Sequence, residues 1–151
     1  MSDLRELYQE IILEHNKKPR NFGALPNANH HADGYNPLCG DRLHLDLLLE
    51  NGRVQDIRFQ GSGCAIFKAS ASMMTTILKG KSVSEANLLF EKYHEMLSRQ
   101  KNEPFDEALL GKLAVFSGVC EYPVRVKCAT LAWHTLKAGL EGQSTQVSTE
   151  L

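Results

Sequence analysis

Arg42-Leu43-His44-Leu45-Asp46-Leu47-Leu48-Leu49-Glu50, then Asn51-Gly52, then Arg53-Val54-Gln55-Asp56-Ile57-Arg58-Phe59-Gln60 is the stretch on which the fold turns. Leu43, Leu45, Leu47 and Leu49 alternate against Arg42, His44, Asp46 and Glu50, the pattern of a strand with one buried face. Asn51-Gly52 fits a type I′ turn, whose two central residues both need positive φ. Arg53 to Gln60 then returns as the partner strand, with Ile57 and Phe59 on one face. The stretch is an antiparallel hairpin.

Upstream, Ala32 to Asn36 reads as a short first strand. Asp3 to about His15 carries Leu4, Leu7, Tyr8, Ile11 and Ile12 at helical spacing, and a loop rich in Asn, Pro and Gly follows it to about Asn29. Downstream of Gly61-Ser62-Gly63 the period lengthens. Ala65 to Lys79 reads as a helix closed by Gly80, and a second helix starts at Ser82 or Ser84 and runs through Leu97. A short helix is expected around Phe105 to Leu113, with a break at Gly118. Pro123 opens the last helix, where Ala129, Ala132, Trp133, Leu136 and Leu140 share a face. The expectation is an α+β fold, a small antiparallel sheet of about three strands packed by helices. A single domain over 1–142 and a flexible tail over 143–151 complete it.

A chain of 151 residues can bury a core without staples. Its net charge of −1 argues against a general nucleic-acid surface, and no apolar run is long enough for a membrane helix. The N-terminal residues alternate charged with apolar ones and lack the apolar core of a signal peptide, so a cytoplasmic address is expected. In a reducing compartment the four cysteines read as metal ligands or reactive thiols before disulfides.

Three of them stand in distinctive company. Cys39 is followed by Gly40-Asp41, Cys64 closes Gly61-Ser62-Gly63-Cys64, and Cys128 follows Pro123-Val124-Arg125-Val126-Lys127. The hairpin brings Cys64 back beside Cys39 and Asp41, and the start of a helix favours thiolate at Cys64. Three sulfurs and one carboxylate suit an ion of zinc's size and softness. Free cysteines are also common as small buried apolar residues, and no paired C-x-x-C knuckle is present, so spacing leaves both readings open.

Asn36-Pro37-Leu38-Cys39-Gly40-Asp41, Gly61-Ser62-Gly63-Cys64-Ala65-Ile66 with Lys68-Ala69-Ser70-Ala71-Ser72-Met73-Met74, and Pro123 through Trp133 together resemble the NifU/IscU family of iron–sulfur cluster assembly proteins. The three motifs occur in order over nearly the whole chain. Within that family the chain resembles the SufU branch. Lys127 stands where scaffolds of the IscU type usually have His, and a long segment, roughly Val83 to Phe105, precedes the third cysteine.

The resemblance implies a SufE/NifU-like (IscU-like) fold and Zn²⁺ held by Cys39, Asp41, Cys64 and Cys128. It implies Cys39 as the thiol that accepts persulfide sulfur from a SufS-type cysteine desulfurase, a pyridoxal-phosphate enzyme. In the family a histidine of the desulfurase replaces that cysteine on zinc. Downstream cluster assembly proteins receive the sulfur. The alternative it leaves is a non-enzymatic scaffold that carries a transient [2Fe–2S] cluster or iron on the same residues.

Other residues are read more plainly. Arg125 and Lys127 flank the third cysteine and are candidates for docking a partner. Phe67 fills core or shields the metal, and Cys120 lies outside the three motifs as an incidental thiol. His30-His31 is expected to be a solvated pair, His44 to lie on the polar face of its strand, and His134 on the surface of the last helix.

Overall fold

A computed structural model describes residues 2–142 and 147–148. Strand β1 is His30–Asn36, β2 is Asp41–Glu50 and β3 is Arg53–Ser62. In the hairpin, Leu45 stands opposite Phe59 and Leu47 opposite Ile57. Asn51 and Gly52 take φ of 55° and 72°, as a type I′ turn requires. The register shifts between Leu48 and Leu49, leaving Gln55 as an extra residue on β3. This bulge resets the alternation. Val54 therefore turns inward together with Ile57 and Phe59, and all three are fully buried.

β1 begins two residues earlier than the sequence pattern suggests, so His30 and His31 belong to a strand and not to a loop. It pairs antiparallel with β2, and Asn36 is directly opposite Asp41. A two-residue strand, β4 (Val147–Ser148), runs parallel to β1 beside Gly34 and Tyr35, giving the order β3-β2-β1-β4. The sheet thus has the three expected antiparallel strands and a short addition from the tail. Residues 143–146 and 149–151 lie outside the described residues.

Among the described residues five α-helices accompany the sheet: α1 (Ser2–Lys17), α2 (Ala65–Leu78), α3 (Val83–Ser98), α4 (Glu107–Leu110) and α5 (Pro123–Leu140). α5 lies against β1 and β2, and α2 lies against β3 between α1 and α5. Two glycines permit this closeness. A Cβ on Gly34 would overlap Thr135 Oγ1, and one on Gly139 would stand 2.8 Å from Leu47 Cδ1. Phe59, Phe67, Tyr93, Phe116 and Trp133 fill the core between the layers.

Of the two serines that could start α3, Ser82 is the cap. Its hydroxyl accepts from Glu85 N–H at 3.1 Å, and the Glu85 carboxylate accepts from Ser82 N–H at 3.0 Å. The helix sends Tyr93 inward, where its hydroxyl donates to the Ala129 carbonyl at 2.9 Å and its ring stacks on Trp133 at 4.8 Å.

The segment after α3 departs from expectation. A single turn of α-helix over Glu107–Leu110 gives way to a 3₁₀ stretch, Gly111–Glu121, which runs through Gly118 without a break. Gly111 takes φ of 52° and ends the α-helix. Leu113, Ala114, Val115, Phe116 and Val119 are all buried, so packing holds a run longer than 3₁₀ geometry usually sustains.

Candidate metal centre

Three chain segments meet at one end of the sheet. The first is the four-residue loop between β1 and β2, Pro37-Leu38-Cys39-Gly40, on which Cys39 is exposed. Gly40 takes φ of 72°, a conformation glycine adopts without a Cβ penalty. Asp41, the first residue of β2, is fully buried. The second segment is the start of α2, where Cys64 is the N-cap and its sulfur accepts from Phe67 N–H at 3.4 Å. The third is the second turn of α5, which places Cys128 at 2% exposure.

Cys128 Sγ is 3.1 Å from Cys39 Sγ. The two sulfurs and a carboxylate oxygen of Asp41 all lie within 4.8 Å of one another. Cys64 adjoins this trio through two contacts: its sulfur faces the Cys128 thiol, and its N–H donates to Asp41 Oδ1 at 3.0 Å. The four residues named from the sequence are therefore brought together, three of them tightly and Cys64 at their side.

The donor set fits zinc. Tetrahedral sites accept three thiolates and one carboxylate, with Zn–S near 2.3 Å and hence about 3.8 Å between sulfurs. The Cys39–Cys128 pair would open by roughly 0.7 Å to admit the ion, with the exposed Cys39 side chain the one not enclosed by core. Gly63 supplies the space beside the carboxylate, since a Cβ there would overlap Asp41 Oδ1 and stand 2.9 Å from Phe67 Cδ2. Phe67 itself is fully buried and fills core.

The thiols are unequal. The Cys128 thiol beside it draws Cys64 down to about 7, against burial and the Asp41 charge, with the Phe67 and Ile66 amides helping. Cys128 is pushed up by Cys64, by burial and by Cys39.

One neighbour carried no assignment in the sequence. Asn36 is fully buried, and its amide donates to Asp41 Oδ2 at 3.2 Å and toward Cys128 Sγ at 3.6 Å. It stands in the first cysteine motif, and the signal that would have singled it out is the pairing of the two strands flanking Cys39. Arg125 is exposed on the first turn of α5, with its guanidinium 4.7 Å over the Tyr122 ring. Lys127 is half-buried next to Cys128. Cys120 is half-buried and belongs to neither of the metal-competent clusters among the described residues.

His44 lies on the polar face of β2 as expected and His31 is exposed, but both have acidic partners, and His134 is less exposed than expected. His31 donates to Asp46 Oδ1 at 2.7 Å, and His44 contacts both Asp33 and Asp46. His134 is half-buried, edge-on to Phe90 at 5.3 Å. No helix among the described residues is long and apolar enough to cross a membrane.

Comparison with known proteins places this geometry in context. Residues 7–141 match the NifU-like N-terminal domain. The chain is 41% identical over 139 residues to the zinc-dependent sulfurtransferase SufU of Bacillus subtilis, covering 92% of each. It is 38% identical to the iron–sulfur cluster assembly scaffold protein IscU of Streptococcus pyogenes, covering 93% of this chain and 87% of that one. A crystal structure assigned to iron–sulfur cluster assembly for the SUF system, from Fervidobacterium islandicum, superposes with a TM-score of 0.82 at 35% identity, covering 89% of this chain and 97% of that chain.

Proposed function

The chain belongs to the NifU-like N-terminal domain family of iron–sulfur cluster assembly proteins, and from that premise we propose that it is a zinc-dependent sulfurtransferase. Cys39, Asp41, Cys64 and Cys128 are its metal ligands. Cys39 accepts persulfide sulfur from a SufS-type cysteine desulfurase and passes it to cluster assembly in the cytoplasm. The name of the Bacillus subtilis relative supports the sulfur-transfer reading. When bound, zinc supplies thiolates at neutral pH by holding its sulfur ligands deprotonated.

The observation that carries the proposal is the asymmetry of exposure. Cys39 is exposed, whereas Asp41 is fully buried and Cys128 is 2% exposed. The buried pair anchors; the sulfur on the short loop is the one a docked partner can reach. Cys39 Sγ attacks the outer sulfur of the donor's persulfide. A bond from Cys39 Sγ to that sulfur forms, the donor's S–S bond breaks, and the electron pair leaves on the donor cysteine as thiolate. No external oxidant or reductant is needed. Leu38 on the loop and Tyr122 and Val124 at the start of α5 are exposed, and with Arg125 and Lys127 they offer a docking rim of apolar and basic character.

The test is desulfurase turnover with and without this protein, and with Cys39→Ala. Turnover should rise with the wild type and not with the variant, and labelled sulfur should appear on Cys39. Unchanged turnover in the wild-type mixture would refute the proposal.

A second reading draws on the scaffold relatives, since thiolates suit a [2Fe–2S] cluster as well. Anaerobic reconstitution separates the two. A cluster that forms on the protein as isolated, displacing any zinc, and transfers to an apo-acceptor favours the scaffold. One that needs zinc stripped and transfers nowhere favours sulfur transfer.

A further inference from the structure

The sheet carries a second convergence of ligand-type side chains, on the same two strands as Asn36 and Asp41 but on the opposite face. Side chains alternate along a strand, so Asn36 and Asp41 point toward the helices while His31, Asp33, His44 and Asp46 point away. The register sets His31 opposite Asp46 and Asp33 opposite His44. Five strand residues separate the His31–Asp46 pair from Asn36 and Asp41, on the order of 17 Å at about 3.3 Å per residue.

The group is already ordered. Asp46 Oδ1 accepts from His31 Nδ1 at 2.7 Å and from His44 Nε2 at 2.8 Å. Its other oxygen is fixed by Leu25 N–H at 3.0 Å, and the residue is 5% exposed. The remaining His44 nitrogen, Nδ1, donates to Asp33 Oδ1 at 2.9 Å. The two imidazoles lie within 19° of parallel with centroids 5.9 Å apart, and the Asp46 oxygen bridges them. Arg58, opposite Asp46 on β3, donates instead to the Ala24 carbonyl at 3.3 Å.

We propose that His31, His44 and Asp46 form a second metal site, distinct from the cysteine centre, that takes a divalent transition-metal ion of the zinc or nickel kind. One oxygen and two imidazole nitrogens within 4.8 Å of one another are donors such ions prefer. Asp33 is the positioning residue. A carboxylate on the far nitrogen of a ligating histidine fixes its tautomer and orientation, and that partner is in place here. On binding, His31 Nδ1 and His44 Nε2 each present a lone pair, and any proton they carry goes to solvent. His44 Nδ1 keeps its proton toward Asp33. Metal–nitrogen lengths near 2.0–2.1 Å require each nitrogen to stand about 3.3 Å from the Asp46 oxygen, roughly half an ångström beyond the present 2.7 and 2.8 Å. His31, 56% exposed, has room to make that adjustment. Asp33 and Asp46 offset the ion's charge. Three protein donors leave a fourth position for water or another ligand, and an open hollow of about 540 Å³, lined by Asp33, Arg42, His44, Gln60 and Ser62, adjoins the His44 side.

The test counts metal. Wild-type protein and the His31→Ala/His44→Ala variant are dialysed to equilibrium at micromolar free Zn²⁺, and bound zinc is measured by elemental analysis. The wild type should retain one equivalent more than the variant, whatever the cysteine centre holds, with both chains equally folded by circular dichroism. In the wild type, the added equivalent should move the ring resonances of His31 and His44 and leave those of His94 and His134 in place. Asp33→Asn should weaken this equivalent roughly ten- to a hundredfold. Equal zinc in wild type and double variant, or an equivalent that moves His94 and His134 instead, overturns the inference.

Discussion

Replacing Asn36 by Ala should loosen the cysteine centre without unfolding the protein. Asn36 is fully buried and gives one amide to both Asp41 Oδ2, at 3.2 Å, and Cys128 Sγ, at 3.6 Å. Its side-chain oxygen accepts from Leu38 N–H at 3.3 Å, which ties down the loop carrying Cys39. A hydrogen bond to a charged group contributes about 1.5–3 kcal/mol, and the long distances here point to the lower half of that range. The loss corresponds to roughly a ten- to fortyfold weaker zinc affinity. It is also small beside a typical domain stability of about 5–15 kcal/mol, so the variant should remain folded. Competition with a chromophoric zinc chelator measures the affinity, and denaturant unfolding of the metal-free chain measures the fold. Zinc affinity within twofold of wild type would refute the idea that Asn36 positions Asp41. So would a metal-free variant that no longer folds, because the residue would then be a core element and not a partner of the ligands.

Three further outcomes are expected. Gly63→Ala places a Cβ on Asp41 Oδ1, so zinc content as isolated should fall below half an equivalent by elemental analysis, while Gly118→Ala, where the space is open, should leave it unchanged. Tyr93→Phe removes the hydroxyl from the Ala129 carbonyl but keeps the Trp133 stack, and Ser70 still donates to that carbonyl at 2.7 Å. Its cost should be about 0.5–1.5 kcal/mol by urea unfolding, and no loss at all would mean the hydroxyl contributes nothing. Burial, with His94 and Lys137 nearby, holds the His134 imidazole below its ordinary value of 6.5. Its neutral form is the one the fold accommodates, so its stability contribution is present above about pH 6.5 and is lost as pH falls through the lower folded value. His134→Gln should flatten that part of the stability–pH curve, measured by urea unfolding at stepped pH.

The parts legible in the sequence share one property: their signals are local. The leucine alternation of β2 and the Asn51-Gly52 turn are each contained in a short window, and so are the three cysteine motifs. Convergence of Cys39, Cys64 and Cys128 is open on spacing and becomes readable only as a resemblance, because nothing in residues 123–140 alone states that α5 lies against β1. The misses are of the opposite kind. Gln55 as a bulge depends on Val54 finding a place in the core, and the long 3₁₀ stretch depends on Phe116 and its neighbours being buried. His31 reads as solvated and is exposed; what the sequence hides is its partner in space, Asp46, set by the pairing of two separate strands. Asn36 is invisible for the same reason, since its partner Asp41 faces it across the loop.

The loop Pro37–Gly40 has a constraint of length as well as of chemistry. It joins β1 to β2 and therefore sets which residues of the two strands oppose each other. A strand shifted by one residue turns every side chain to the other face. Adding or removing a single residue between Asn36 and Asp41 would either be absorbed in the turn, displacing the Cys39 sulfur from its place beside Cys128, or shift the pairing itself. A slip of β2 would send Asp41 outward and His44 and Asp46 into the core. Substitutions at Leu38 are compatible with this architecture, while insertions and deletions around Cys39 are not. The segment most exposed to a partner is, by its geometry, the least free to drift in length.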